Sequence, residues 1–96
     1  MPDKLWQLRC DTYQAAGAYH QACGAYIAAL TGKPTGNIQE ARQQVFATAE
    51  EYKIMLNALL AYLNSAEPGE AHAGEIQETE RTIETLDREL ALIPKL

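Results

Sequence analysis

Residues 37–64 decide the fold, and they read NIQEARQQVFATAEEYKIMLNALLAYLN. Asn37 followed three residues later by Glu40 is the pattern of a capping box, in which side chains satisfy the free backbone amides at the start of a helix. Apolar positions then recur at spacings of three and four residues, which predicts one long amphipathic helix. Those positions are Ile38, Ala41, Val45, Ala49, Tyr52, Leu56, Leu59 and Leu63.

Two further segments with the same period flank this one. Residues 31–37 contain two glycines and a proline, and residues 64–70 contain Pro68 and Gly69, so we expect helices to end in both stretches. This predicts helices over about residues 2–30, 37–64 and 71–93, within a single domain that spans residues 1–96. Three long helices joined by short linkers favour an all-α, antiparallel three-helix bundle. The third helix has the narrowest apolar stripe, formed by Ile76, Thr79, Ile83, Leu86, Leu90 and Ile93.

In a second interpretation, the helix that ends near residue 64 begins at another capping box, formed by Thr48 and Glu51. Residues 33–47 then form a short hairpin with Val45 and Phe46 on its second strand. That layout, with residues 29–33 (ALTGK) ahead of it, resembles the head-completion proteins of lambdoid phages, and the resemblance implies a structural or connector role. We favour the continuous helix, because residues 39–44 are mostly strong helix formers and the proposed hairpin turn lacks a turn residue.

Charge is unevenly distributed along the chain, which has a net charge of −5. Residues 70–90 contain seven acidic residues but only two basic ones, Arg81 and Arg88. Because so few basic residues cannot neutralise many phosphates, we do not expect nucleic acid to be a partner. An acidic patch on the third helix supports an alternative function, that of a small inhibitory or immunity-type protein directed at a basic site. The candidate patch consists of Glu78, Glu80, Glu84 and Asp87.

Several features favour a cytoplasmic protein without a membrane segment. Residues 1–4 lead into charged residues and not into an apolar core, so we expect no signal peptide. The uncharged run from Thr12 to Thr31 is too weakly apolar to cross a bilayer. On one helix, Cys10 and Cys23 lie about 19 Å apart along the axis and cannot form a disulfide with each other. Free thiols of this kind are typical of a reducing compartment.

The inventory of chemically active groups favours a protein that is not an enzyme. The only serine, Ser65, lies in a linker, and no CxxC or HxxxH spacing occurs. His20 and Cys23 lie on one helix face, and we interpret them as packing residues and not as a catalytic pair. We also favour a packing role for these two residues over a zinc site shared by two chains. We therefore expect no catalytic residues, no metal site and no cofactor.

The first helix has a second stripe beside its core stripe. The core stripe is Leu5, Leu8, Thr12, Ala15, Tyr19, Ala22, Tyr26 and Ala29, and the second is Trp6, Cys10, Tyr13, Gly17, Gly24 and Ile27. Each glycine inside a helix costs up to about 1 kcal/mol relative to alanine, so close approach of another helix is expected there. That helix is either the second helix of the same chain or a helix of a second chain.

Surplus apolar surface predicts association with other copies, most simply a homodimer, because large exposed apolar patches mark association sites. The second stripe and the end of the second helix, residues 54–63, both contribute to this surplus. We therefore expect a protein-protein interaction or adaptor function through the faces of the first and second helices. The candidate interface consists of Trp6, Tyr13, Gly17, Tyr19, Gly24, Tyr26, Met55, Leu60 and Tyr62.

Overall fold

The computed structural model describes residues 4–32, 37–66 and 73–93. These ranges hold three helices: α1 (Lys4–Leu30), α2 (Ile38–Ala66) and α3 (Ala73–Ala91). Each regular element within them is an α-helix, which confirms the prediction of an all-α three-helix bundle. The helix ends predicted at residues 2–3 and 71–72 lie outside the described ranges, and α3 ends two residues before the predicted residue 93.

Asn37 fixes the start of α2, because its side-chain Oδ1 accepts a hydrogen bond from the backbone amide of Gln39 at 2.9 Å. The helix then continues through residue 48 without a break. The Thr48 hydroxyl donates to the carbonyl oxygen of Gln44, four residues earlier, at 2.6 Å, as a threonine inside a helix does. Residues 38–47 are therefore helical and not part of a hairpin, and residues 33–36 lie outside the described ranges.

The three helices form an open arrangement with α2 in the middle. α1 packs along α2, and α2 packs along α3, whereas the Cα atoms of α1 and α3 stay more than 8 Å apart throughout the described ranges. The predicted core stripes face one another across these two contacts. Small side chains from α1 and α2 alternate with larger ones, so α1 and α2 pack closely. The central cluster consists of Tyr19, Ala22, Tyr26, Val45, Ala49, Leu56 and Leu86.

Long side chains connect α3 to its neighbours. The Arg9 guanidinium donates from Nε and Nη2 to the two carboxylate oxygens of Glu75, at 2.9 and 2.5 Å, and so joins α1 to the start of α3. Near the other end of α3, the Tyr19 hydroxyl donates to Glu89 Oε1 at 3.0 Å. α3 is thus fixed by an apolar seam on α2 and by polar bridges to α1.

The molecule is flatter and longer than a closed bundle of its size. It measures 50 × 28 × 17 Å, and the Cα atoms have a radius of gyration of 15.6 Å. A compact domain of this length has a radius of gyration of about 12.5 Å. Because α1 and α3 meet through side chains and not through close backbone packing in the described ranges, each outer helix exposes a broad face to solvent.

Candidate protein-binding surface

The face of α1 that points away from α2 carries a regular set of residues, here called the outer seam. Its members are spaced alternately four and three residues apart along three heptads, and they are centred about 150° around the helix from the core stripe. All but the half-buried Cys10 are exposed, with 62% of Trp6, 81% of Tyr13 and 59% of Ile27 accessible to solvent. The outer seam consists of Trp6, Cys10, Tyr13, Gly17, His20, Gly24 and Ile27.

His20 was missing from the sequence-derived stripe, although the seven-residue spacing from Tyr13 and to Ile27 indicates its place. Because histidine is polar, a stripe defined by apolar residues omits it. The exposed His20 ring also lies near the buried Tyr19 ring, with 5.7 Å between their centroids. His20 therefore belongs to the outer seam by register and contacts the core through its neighbour.

Both seam glycines face open space. A Cβ atom added at Gly17 or Gly24 would meet no atom within 4 Å outside its own helix. Close packing against α2 therefore does not explain either glycine, and that interpretation of them is wrong. The surface that they leave bare remains available to a helix from outside the monomer.

The exposed part of α1 lacks formal charge over most of its length. Between Asp11 and Lys33 the sequence contains no aspartate, glutamate, lysine or arginine. Exposed helix faces in soluble proteins usually carry such residues. An uncharged exposed seam that holds a tryptophan, a tyrosine and an isoleucine is typical of a protein-binding surface.

The remaining residues of the candidate interface lie elsewhere. Tyr19 and Tyr26 are only 2% and 6% exposed and form part of the core. Met55 is half-buried and lines a groove between α1 and α2, and Leu60 lines a groove between α2 and α3. Tyr62 has its ring 6.0 Å from the ammonium group of Lys4. The structure thus brings together only Trp6, Tyr13, Gly17 and Gly24 on the outer face of α1.

The four residues of the candidate acidic patch do not share one face of α3. Glu78 lines the groove between α1 and α3, whereas Glu80 and Glu84 line the groove on the α2 side. Asp87 forms an ion pair with Lys53 of α2, at 2.6 Å. By helical register the exposed Arg81 and Arg88 lie between these two edges, and Arg81 also lines the groove on the α2 side. Negative charge is therefore divided along two edges of the helix.

A polar cluster around Tyr19 lies at the edge of the core. Burial raises the pKa of Tyr19 well above its ordinary value, and the adjacent Cys23 thiol and Glu89 carboxylate raise it further. Burial also raises the pKa of Tyr52, and the negative charge of Glu89 adds to this effect. Both phenols are therefore neutral at physiological pH, and the Tyr19 hydroxyl holds α3 through its hydrogen bond to Glu89.

An open groove with a volume of about 590 Å³ runs between α1 and α2. Six alanines form most of its lining, and Glu40 is its one titratable residue. Among the residues that the structure describes, no group of three or more histidine, cysteine or acidic side chains is placed to hold a metal ion. The same residues include no helix with the length and apolar character needed to cross a membrane.

Comparison of the chain with protein-family models, curated proteins and solved structures finds no match. The function must therefore be inferred from the surfaces of the molecule itself. The outer seam of α1 is the feature on which that inference depends.

Proposed function

We propose that this chain is a non-enzymatic assembly or adaptor protein that binds another protein through the outer seam of α1. The observation that carries the proposal is the exposed, uncharged heptad spacing of this seam on a helix whose other side is already packed against α2. Alternate spacing of three and four residues matches the packing of one helix against another. The partner surface is therefore expected to be helical.

The alternative of an inhibitory or immunity-type protein depends on a strongly negative surface. The acidic residues of α3 lie on two edges, with Arg81 and Arg88 exposed between them. A basic target site placed against the outward surface of α3 would meet these two positive charges as well as the carboxylates. Electrostatic complementarity therefore favours this alternative less than the outer seam. The phage connector alternative relied on a hairpin at residues 33–47, of which residues 38–47 are helical.

Photochemical cross-linking in the native host tests which surface is used. One variant carries a benzoyl-phenylalanine in place of Tyr13 in the outer seam, and a matched variant carries it in place of the exposed Arg81 on α3. We expect cross-linked protein adducts from position 13 and few from position 81. Adducts mainly from position 81 would favour the inhibitory function, and their absence at both positions would overturn the proposal.

A further inference from the structure

Building on the proposed function, we infer that the partner of the outer seam is a second copy of this chain, packed antiparallel with the two α1 helices crossing at Gly17. The seam is a helix-binding surface, and α1 itself is a helix that presents such a surface. Two copies can therefore cover each other's exposed aromatic residues with one twofold contact, the commonest form of closed assembly.

The charge distribution favours a contact between two outer seams over a contact between two α3 helices. Two identical chains have the same net charge of −5, so two copies of a surface with a net negative charge repel each other. Five of the seven seam residues lie in the uncharged part of α1, and the Cα atoms of α3 stay more than 8 Å from those of α1 throughout the described ranges. A contact between two outer seams therefore brings largely uncharged surfaces together and leaves the acidic helices at the periphery.

The order of side chains along the seam fits an antiparallel pair. The pairs Trp6 with Ile27, Cys10 with Gly24, and Tyr13 with His20 are each centred on Gly17 or half a residue before it. When two seams are antiparallel about that point, Trp6 of one copy meets Ile27 of the other, and each Tyr13 meets a His20. Trp6 and Ile27 then lie at the two ends, and Tyr13 and His20 flank the crossing. The two copies of Gly17 meet at the crossing itself, where absent side chains let the backbones approach.

The size of the contact predicts its strength. Residues 6–27 extend about 32 Å along a helix that is about 10 Å wide, which gives a footprint of roughly 320 Å². A standard stable interface buries about 800 Å² on each partner. We therefore expect a weak dimer that dissociates on dilution through the micromolar range.

Introducing a negative or a positive charge at the crossing point tests whether the outer seam forms the dimer. Sedimentation of the full chain from roughly 5 to 500 µM should show a concentration-dependent dimer. Gly17→Glu and Gly17→Lys should each be monomeric, because each places two like charges together at the crossing. An equimolar mixture of these two variants should restore the dimer through opposite charges. Side chains at this position meet open space in the monomer, so both variants can fold.

Thr85→Glu is the matched control, because it places the same charge on the exposed surface of α3. It should retain the wild-type dimer. If this control also lost the dimer, the added net charge and not its position at the crossing would cause dissociation, and the inference would be wrong.

Disulfide cross-linking determines the orientation of the two helices. In a Cys23→Ala background, an antiparallel pair keeps the two copies of Cys10 about 21 Å apart, which is too far for a disulfide. Adding Gly24→Cys should allow oxidation to a covalent dimer, through a disulfide from Cys10 of one copy to position 24 of the other. Cross-linking in Cys23→Ala alone would show a parallel pair and overturn the proposed geometry.

The two proposals can fail separately. A purified chain that stays monomeric at the highest concentration overturns the second-copy inference, whatever the cross-linking in cells shows. If photochemical adducts still form at position 13, and contain a different protein, the adaptor function stands with another partner. If neither self-association nor adducts occur, both proposals are wrong.

Discussion

At the scale of single residues, Tyr13 and Tyr19 show how register decides the role of a side chain. Both are tyrosines of α1, yet Tyr13 is exposed in the outer seam and Tyr19 is buried in the core. Their membership of different stripes was evident in the sequence. We expected both at an interface because tyrosine favours such sites, and the structure shows that stripe membership should have taken precedence over residue type. The bond from Tyr19 to Glu89, 70 residues away, depends on how α3 is placed and had no local sequence signal.

The raised pKa of Tyr19 and Tyr52 predicts a loss of stability at alkaline pH. A tyrosine in the unfolded chain ionises near pH 10, whereas the same residue in the folded protein keeps its proton to higher pH. The folded state therefore binds more protons above pH 10, and the free energy of unfolding falls as the pH rises. The expected fall is at most about 1.4 kcal/mol per pH unit for each tyrosine. Urea unfolding at pH 8 to about 11 measures it.

Substitution identifies the tyrosine responsible. Tyr19→Phe should lower the free energy of unfolding at pH 7 by about 1–2 kcal/mol, because its hydrogen bond to a carboxylate is lost. It should also make the alkaline fall shallower. Tyr13→Phe, at an exposed seam position, should retain the wild-type slope. An equal change of slope in both variants would contradict the buried role of Tyr19.

At the scale of elements, the sequence predicts the three helices well because each carries a long and regular period. Asn37 was identified as the cap of α2 from the residue type and its position relative to Glu40, and the structure confirms the cap through the Gln39 amide. The attachment of α3 was less predictable. Its ties to Arg9 and Lys53 join residues 66 and 34 positions apart, which no local pattern reveals. The division of its acidic residues between two edges also follows from the way α3 lies on α2.

We predict that α3 opens more readily than α2. α3 contacts the backbone of one neighbour only, and among its described residues just Thr79 and Leu86 are fully buried. Hydrogen exchange measured by mass spectrometry should therefore show less protection in residues 73–91 than in residues 45–63. Arg9→Gln, which breaks the paired hydrogen bonds to Glu75, should lower protection in α3 further and leave α2 unchanged. Arg81→Gln, on the exposed surface of α3, should have little effect, and equal exchange in all three helices would contradict this prediction.

At the scale of the whole molecule, helical period does not determine whether three helices close into a triangle. The core stripes of α1 and α3 both pack against α2. The outer helices can therefore remain apart, with only side-chain bridges between them. This open arrangement accounts for the thin dimension of 17 Å. It also leaves most of the outer seam exposed, although Cys10 is half-buried and Tyr13 lines a groove with residues of α2 and α3.

The open shape can be measured in solution on a variant expected to be monomeric. Small-angle X-ray scattering of Gly17→Glu should give a radius of gyration close to the 15.6 Å of the Cα atoms, slightly enlarged by side chains and hydration. A closed bundle of the same three helices should give a smaller value, because a third contact would draw α3 onto α1. The wild-type chain at high concentration should give a larger value that falls on dilution as the dimer dissociates. A value near that of the closed bundle for the monomer would show that α1 and α3 meet in solution, which would reduce the exposed area of α1 and weaken the case for the outer seam as a binding surface.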